Sequence, residues 1–398
     1  MAEPVSHILT DTRNRVWQEH FELGPKALGL SEKPRWSVKK RTLRGGFSDG
    51  VDIIEIDNGL LSFSVLPTRG MSIWRGKLGD LPIGWDSPVC GPVHPAFVNE
   101  RERGGLGWLR GFDEAIVRCG LASNGAPCSD TVTNNMGQNT QVELTLHGKT
   151  ANTPAWYVAV EVTPGDQPEI AVIGQVYETG LFLPQLSLAT RISTTVGSNA
   201  FRIEDEITNM KGVPSEMQLL YHCNFGPPFL EEGSRLEVPA RMVAPRDARA
   251  AEGIDAYDTY LGPTDGYVEQ CYWYETLADD DGNTLAMLRT GAGDKAVAIR
   301  YNRNELPCFT QWKNTAAEAD GYVTGLEPGT NFPNPRPFER AQGRVPAIDG
   351  GASYHTALTV EILDGAAMIN DARQEIDHLQ GKAEKVVHHE PQKGYSDV

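Results

Sequence analysis

Residues 200–228 read AFRIEDEITNMKGVPSEMQLLYHCNFGPP. Two runs of extended character, Ala200–Thr208 and Glu216–Asn224, flank a connection containing Asn209, Gly212 and Pro214, which is the signature of strands joined by a turn. Alternate side chains of a strand share a face. In the second run Met217, Leu219, Tyr221 and Cys223 fall on one side. Gln218, Leu220, His222 and Asn224 fall on the other, so His222 and Asn224 form a polar pair two residues apart. Phe225-Gly226-Pro227-Pro228 then ends the strand.

The same texture extends outward. Strands are expected at Val51–Ile56, Leu60–Leu66, Thr140–His147, Trp156–Val162, Ile170–Tyr177 and Leu186–Thr195 before this stretch. After it come Thr284–Leu288, Ala296–Tyr301, Phe309–Lys313, Gly321–Glu327 and Tyr354–Ile362. So many short strands with turn signals between them predict an all-β protein, a large twisted antiparallel β-sandwich with few short helices. No βαβ rhythm and no strand–GxGxxG–helix arrangement occurs, which argues against a dinucleotide-binding domain. The expected plan is an N-terminal arm over 1–45 with a short helix near Asn14–Leu23, a sandwich domain over 46–365, and a polar tail over 366–398 ending in a short helix and a frayed terminus. Two stretches, 82–139 and 239–266, read as long loops and as candidate walls of a binding site.

Three strand ends carry chemistry. In Thr140–His147, Val142, Leu144 and Leu146 form an apolar face and Glu143, Thr145 and His147 the opposite one, so strand parity points His147 away from the core. His222 lies on the polar side of its own strand. In Tyr322–Glu327, Val323, Gly325 and Glu327 share a face, and Gly325 leaves an empty place beside the Glu327 carboxylate that a ring could fill. Each residue alone has an ordinary structural explanation. Two histidines and a glutamate, each at a strand end beside a backbone breaker, together suggest a reactive centre.

Composition narrows the partners. Against 36 basic residues stand 53 acidic ones, a net charge of -17. Such a surface repels phosphate backbones and anionic lipid, so nucleic acid and membrane are not expected as partners. A small neutral ligand suits it better. The six cysteines are scattered without a CxxC pair and read as reduced thiols. The start of the chain lacks a basic segment followed by an apolar run, and no stretch approaches membrane-spanning length, so a cytoplasmic location is the expectation. A metal site of His147, His222 and an acid would ordinarily include closely spaced ligands such as HxH, which are missing, so no metal and no cofactor are expected.

Leu146-His147-Gly148-Lys149, then Ile203–Asn209 leading to Tyr221-His222-Cys223-Asn224-Phe225, then Gly325-Leu326-Glu327-Pro328-Gly329, resemble the three ordered signatures of the aldose 1-epimerases. Val65-Leu66-Pro67-Thr68-Arg69-Gly70-Met71 resembles the arginine motif of a little-characterised branch of that superfamily. The resemblance spans about 46–363 and implies the galactose mutarotase-like sandwich with a sugar on one face. It implies His147 and His222 as the active-site histidines, Glu327 as catalytic base and Arg69 as a substrate-binding residue. The family also uses a second acidic residue, for which Asp255, Asp258 and Glu269 are candidates, Glu269 first. Two departures stand out. His147 is followed by Gly-Lys-Thr-Ala-Asn, not by Gly, an aromatic and Arg. His222 is followed by Cys-Asn-Phe, not by Pro-Tyr-Phe-Asn.

The activity so implied is interconversion of sugar anomers, an isomerase reaction. A base takes the proton of the anomeric hydroxyl, an acid protonates the ring oxygen, and the ring recloses on the other carbonyl face. Glu327 is the expected base and His222 the acid, with His147 and Arg69 at the sugar's oxygens. Asn224 is a further candidate for substrate binding, and Trp108, Phe112 and Trp312 are candidates for stacking on a sugar ring. Alternatives from the same residues are epimerase, isomerase, lyase or hydrolase chemistry on a modified sugar, or non-catalytic carbohydrate binding. The chain is expected to act as a monomer or homodimer.

Overall fold

The computed structural model describes residues 3–31, 33 and 35–397. Two sheets, of ten and thirteen strands, form a sandwich. The middle of the ten-stranded sheet is built from the long neighbours Glu169–Thr179, Gln185–Thr195, Ala200–Asn209 and Ser353–Asp364. Five neighbours of the thirteen-stranded sheet position the site: Gln270–Thr276, Cys308–Asn314, Val323–Gly329, Gln218–Phe225 and Ile116–Leu121, in that order. All five pair antiparallel.

The sheets meet over one apolar core. Val160, Val172, Leu188, Ile203 and Leu358 come from the ten-stranded side, and Val65, Leu219, Tyr221, Cys223 and Leu326 from the other. Alternation is clean in Ala200–Asn209, where Phe201, Ile203, Asp205 and Ile207 point inward. The inward carboxylate of Asp205 is answered across the sandwich. Arg118 gives it two hydrogen bonds of 2.5 and 2.9 Å, and Tyr221 Oη donates at 2.6 Å. The strand Gln218–Phe225 is buried along its whole length, since both its faces are covered. Leu219, Tyr221 and Cys223 enter the sandwich core, while Leu220 joins a second cluster on the outer face with Trp85, Trp108, Phe112, Val117, Cys119 and Val323.

Several expectations need correction. No helix forms at Asn14–Leu23: Val16–Trp17 and Phe21–Leu23 are short strands. Their aromatic and β-branched residues find partners in sheet edges, which outweighs local helical spacing. Val5–Asp11 pairs with Tyr157–Thr163 in the ten-stranded sheet. Within the stretch read as a loop over 82–139 lies Ile116–Leu121, a central strand. Its Arg118 masks the apolar pattern, because that guanidinium is buried by pairing rather than exposed. Ala240–Pro245 is likewise a strand inside the second expected loop. The helix Ala366–Gln380 packs Ile369, Ala372 and Ile376 on Leu285, Met287 and Ala298. Up to Asp397 the chain beyond it is not frayed: Val386–Val387 pairs with Met242–Val243, and Ser396 accepts a hydrogen bond from Trp273 Nε1 at 2.8 Å. Among the described residues no helix is long and apolar enough to cross a membrane.

Candidate active site

Sheet register brings the reactive groups together. Cys223 lies opposite Leu326 and Asn224 opposite Gly325, which carries His222 opposite Glu327 on the outer face. Directly opposed side chains of an antiparallel pair are close neighbours, and His222 Nε2 stands 3.2 Å from Glu327 Oε1. On the next strand Trp312 lies opposite Gly325 and Thr310 opposite Glu327. A side chain at Gly325 would collide with Glu327 Oε1 and press on His222 Cε1 and Trp312 Cβ, each 3.2 Å from its Cβ position. The space that Gly325 leaves is therefore filled by the carboxylate and imidazole themselves, not reserved for a sugar or aromatic ring.

His147 arrives by a different route than strand parity suggests. The strand ends at Leu144, in a hairpin of Cys128–Thr133 with Asn139–Leu144. His147 then takes a left-handed turn with φ 59°, followed by Gly148 with φ 69°. A side chain at Gly148 would collide with the Ser123 carbonyl oxygen. This turn sets the His147 ring 5.4 Å from that of His222. His147 Nδ1 bonds the Asn124 carbonyl oxygen at 2.9 Å. A carbonyl only accepts, so Nδ1 carries the hydrogen and Nε2 faces the site as a lone pair. Asn124 had no signal in the sequence, because its contribution is a backbone carbonyl.

The three groups are nearly enclosed: His147 is 9% exposed, His222 5% and Glu327 2%. Burial pushes Glu327 well above the usual carboxylate range, the Glu269 charge adds to this and Arg246 opposes it. Burial likewise drives His222 well below the ordinary imidazole value, with His147 adding and the bond to Asn224 opposing. His147 is pushed down to about 4 by burial, against its bond to Asn124 and the Glu269 charge. Both rings are thus neutral near pH 7. Glu327 Oε1 has no hydrogen-bond partner, and neither do the buried Thr310 Oγ1 on the neighbouring strand and Trp108 Nε1. Buried polar atoms are ordinarily satisfied, so hydroxyl groups of a ligand placed here would meet partners with bonding capacity to spare. Thr310 was invisible as a site residue because only the pairing register places it there.

The remaining candidates divide. Of the three acids, Glu269 stands at the site: Trp312 Nε1 donates to it at 2.7 Å and Arg246 at 3.2 Å. Asp255 faces His389 at 3.6 Å and Asp258 faces Arg235 at 4.0 Å. Trp312 is half-buried at the rim. Trp108 is 1% exposed and packs behind the imidazoles, with ring centroids 4.6 Å from both His147 and Phe112. Phe112 lies edge-on to His222 at 5.0 Å. Asn224 is buried beneath His222 and bonds its ring. Arg69 is fully buried, and its hydrogen bonds go to Glu114, Asn152 and the carbonyls of Val93 and Gly111. That geometry makes it the anchor of the loop bearing Trp108 and Phe112. Among the described residues no group of three His, Cys, Asp or Glu side chains is arranged to hold a metal ion.

Residues 48–362 match the family model described as Domain of unknown function (DUF4432). The structure is similar to that of a Klebsiella pneumoniae protein provisionally described as an aldose 1-epimerase, with 36% identity, a TM-score of 0.92, and coverage of 98% of this chain and 99% of that one. A galactose mutarotase-like protein from Clostridium acetobutylicum has a TM-score of 0.55 at 12% identity, over 82% of this chain and 98% of that one. Galactose 1-epimerase from Lactobacillus acidophilus has a TM-score of 0.52 at 12% identity, over 82% and 99%. At that identity the last two speak for the fold. No curated protein matches the sequence. The chain belongs to the DUF4432 family, a branch of the aldose 1-epimerase and galactose mutarotase-like superfamily.

Proposed function

We propose that the protein is an aldose 1-epimerase that interconverts the anomers of a free sugar by acid–base ring opening. The observation that carries this reading is the 3.2 Å separation of His222 Nε2 and Glu327 Oε1. A cyclic hemiacetal bears its hydroxyl and ring oxygens on one carbon, so an acid and a base side by side reach both at once. Glycoside hydrolysis by contrast calls for two carboxyl groups held about 5 Å or more apart on either side of the bond.

In the forward half-reaction the Glu327 proton passes to His222 Nε2, 3.2 Å away, and the carboxylate so formed takes the proton of the anomeric hydroxyl. The electron pair of that O–H bond becomes the carbonyl π bond, the bond from the anomeric carbon to the ring oxygen breaks, and that oxygen takes the proton of His222 Nε2–H. Both side chains are then neutral. Rotation about the adjacent carbon–carbon bond presents the other carbonyl face. On closure the ring-oxygen hydroxyl returns its proton to His222 Nε2 and Glu327 gives its proton to the carbonyl oxygen, which becomes the anomeric hydroxyl. His147 Nε2 accepts from a sugar hydroxyl, and Glu269, held by Trp312 and Arg246, accepts from another. Trp312 offers its half-buried ring to the apolar side of the sugar. The name given to the Klebsiella pneumoniae protein supports the same reaction class.

The test is exchange NMR on a panel of free aldoses equilibrated with purified protein. Faster exchange between the α and β anomeric signals of at least one aldose is expected, with every other carbon retaining its configuration. Inversion at another carbon, or no acceleration across the panel, would sink the proposal.

A further inference from the structure

We propose that Asn224 is a positioning residue that fixes the tautomer of His222 and so leaves the His222–Glu327 pair sharing a single proton. This deepens the acid–base reading above and rests on it for its catalytic meaning, but not for its geometry.

Asn224 Nδ2 donates to the Glu114 carbonyl at 3.0 Å and to the His222 carbonyl at 3.0 Å. Both partners are backbone oxygens, which have no hydrogen to give. Turning the amide over would set Oδ1 against both of them in a fully buried position. The backbone therefore dictates that Oδ1 points at His222 Nδ1, 2.5 Å away. An amide oxygen only accepts, so Nδ1 carries the hydrogen, and in the neutral ring Nε2 is bare.

The bare Nε2 faces Glu327 Oε1 at 3.2 Å, and Oε1 has no other polar partner. With no proton between them, a lone pair would oppose an anionic oxygen. With two, an imidazolium would lie buried against a neutral acid and without a counterion. One proton satisfies both atoms. Placed on Glu327 it makes a neutral pair. Placed on Nε2 it makes the acid and the carboxylate that ring opening requires. By accepting from Nδ1, the Asn224 carbonyl stabilises the imidazolium and favours that second placement. The other titratable or charged groups around the pair are accounted for. His147 gives its Nδ1 hydrogen to Asn124, Glu269 is held by Arg246 and Trp312, and Glu114 is paired with Arg69. The thiols of Cys119 and Cys223 are buried on the flanking strand positions and held above their ordinary range by burial.

The experiment is long-range proton–nitrogen correlation NMR on the full chain labelled with nitrogen-15 histidine, without any sugar. The His222 signals are assigned by their loss in His222→Gln. Wild type is expected to show a protonated Nδ1 on His222. Asn224→Leu, which keeps the branched shape and removes the acceptor, is expected to move the ring to the Nε2–H form. Asn224→Asp restores an acceptor and is expected to keep Nδ1–H and raise the pH at which the ring protonates. Wild-type His222 with Nε2–H and bare Nδ1 would overturn the proposal by itself. So would an unchanged tautomer in folded Asn224→Leu. Should that variant fail to fold, an unchanged protonation midpoint in Asn224→Asp would overturn it. On an aldose that the wild type turns over, Asn224→Leu should also lose about 10²-fold in turnover, whereas failure of every aldose leaves the tautomer result standing.

Discussion

His147 sits in a left-handed backbone conformation, with a hydrogen bond from its ring to the Asn124 carbonyl, and is 9% exposed. Non-glycine residues pay conformational energy for such a position and cluster at functional sites. Its charge state has a stability consequence. The ring titrates at about 4 in the folded protein because burial disfavours the cation, and near 6.5 in an unfolded chain. Between those values the unfolded state binds the extra proton. Stability at this position is therefore complete above pH 6.5 and is lost as pH falls towards 4. Between pH 7 and pH 5 this residue should cost the wild type about 2 kcal/mol. His147→Gln, which can still donate to the Asn124 carbonyl, should lack that component. Urea unfolding of both proteins at the two pH values measures it, and equal acid slopes would contradict the burial of a neutral imidazole.

At the level of elements, the legible part of the site was the part that obeys strand alternation. Leu220, His222 and Asn224 do lie on the face opposite Leu219, Tyr221 and Cys223, and Gly325 and Glu327 do share a face. His147 reached the same place for another reason, because its strand stops three residues earlier and a turn delivers it. What could not be read was pairing. Nothing local says that the His222 strand lies beside the Glu327 strand, or that Thr310 and Trp312 come next. The central strand Ile116–Leu121 was hidden by an arginine whose partner is far along the chain. The strand pair makes a sharp prediction at Gly325. In Gly325→Ala the new methyl group displaces the Glu327 carboxyl and crowds His222 and Trp312. A misplacement of this size should reduce turnover about 10²-fold, with a stability loss of about 1–3 kcal/mol. Rate and thermal melting measured on the same preparation separate the two, and wild-type turnover would show that the carboxyl is not held as described.

At the scale of the molecule, the two sheets are joined by an apolar core and by the charged tie of Arg118 to Asp205, completed by Tyr221 and by Thr190 and Thr356 hydroxyls. Removing one member of a buried pair strands the other, at a cost of about 3–5 kcal/mol. Asp205→Asn should lower the guanidinium chloride midpoint accordingly. Its folded fraction should retain wild-type turnover, since the tie lies on the inner side of the sheet and the imidazoles on the outer. A small loss of stability would mean that Arg118 finds another acceptor.

The outer face then stands or falls on Glu327. Anomer interconversion of an aldose that the wild type accelerates should be followed by polarimetry for wild type and Glu327→Gln, with melting curves on the same samples. Glutamine keeps the shape and cannot take up the proton of the anomeric hydroxyl, so the rate should fall by about 10²–10⁴-fold while the fold persists. An undiminished rate in a folded Glu327→Gln protein would contradict the account.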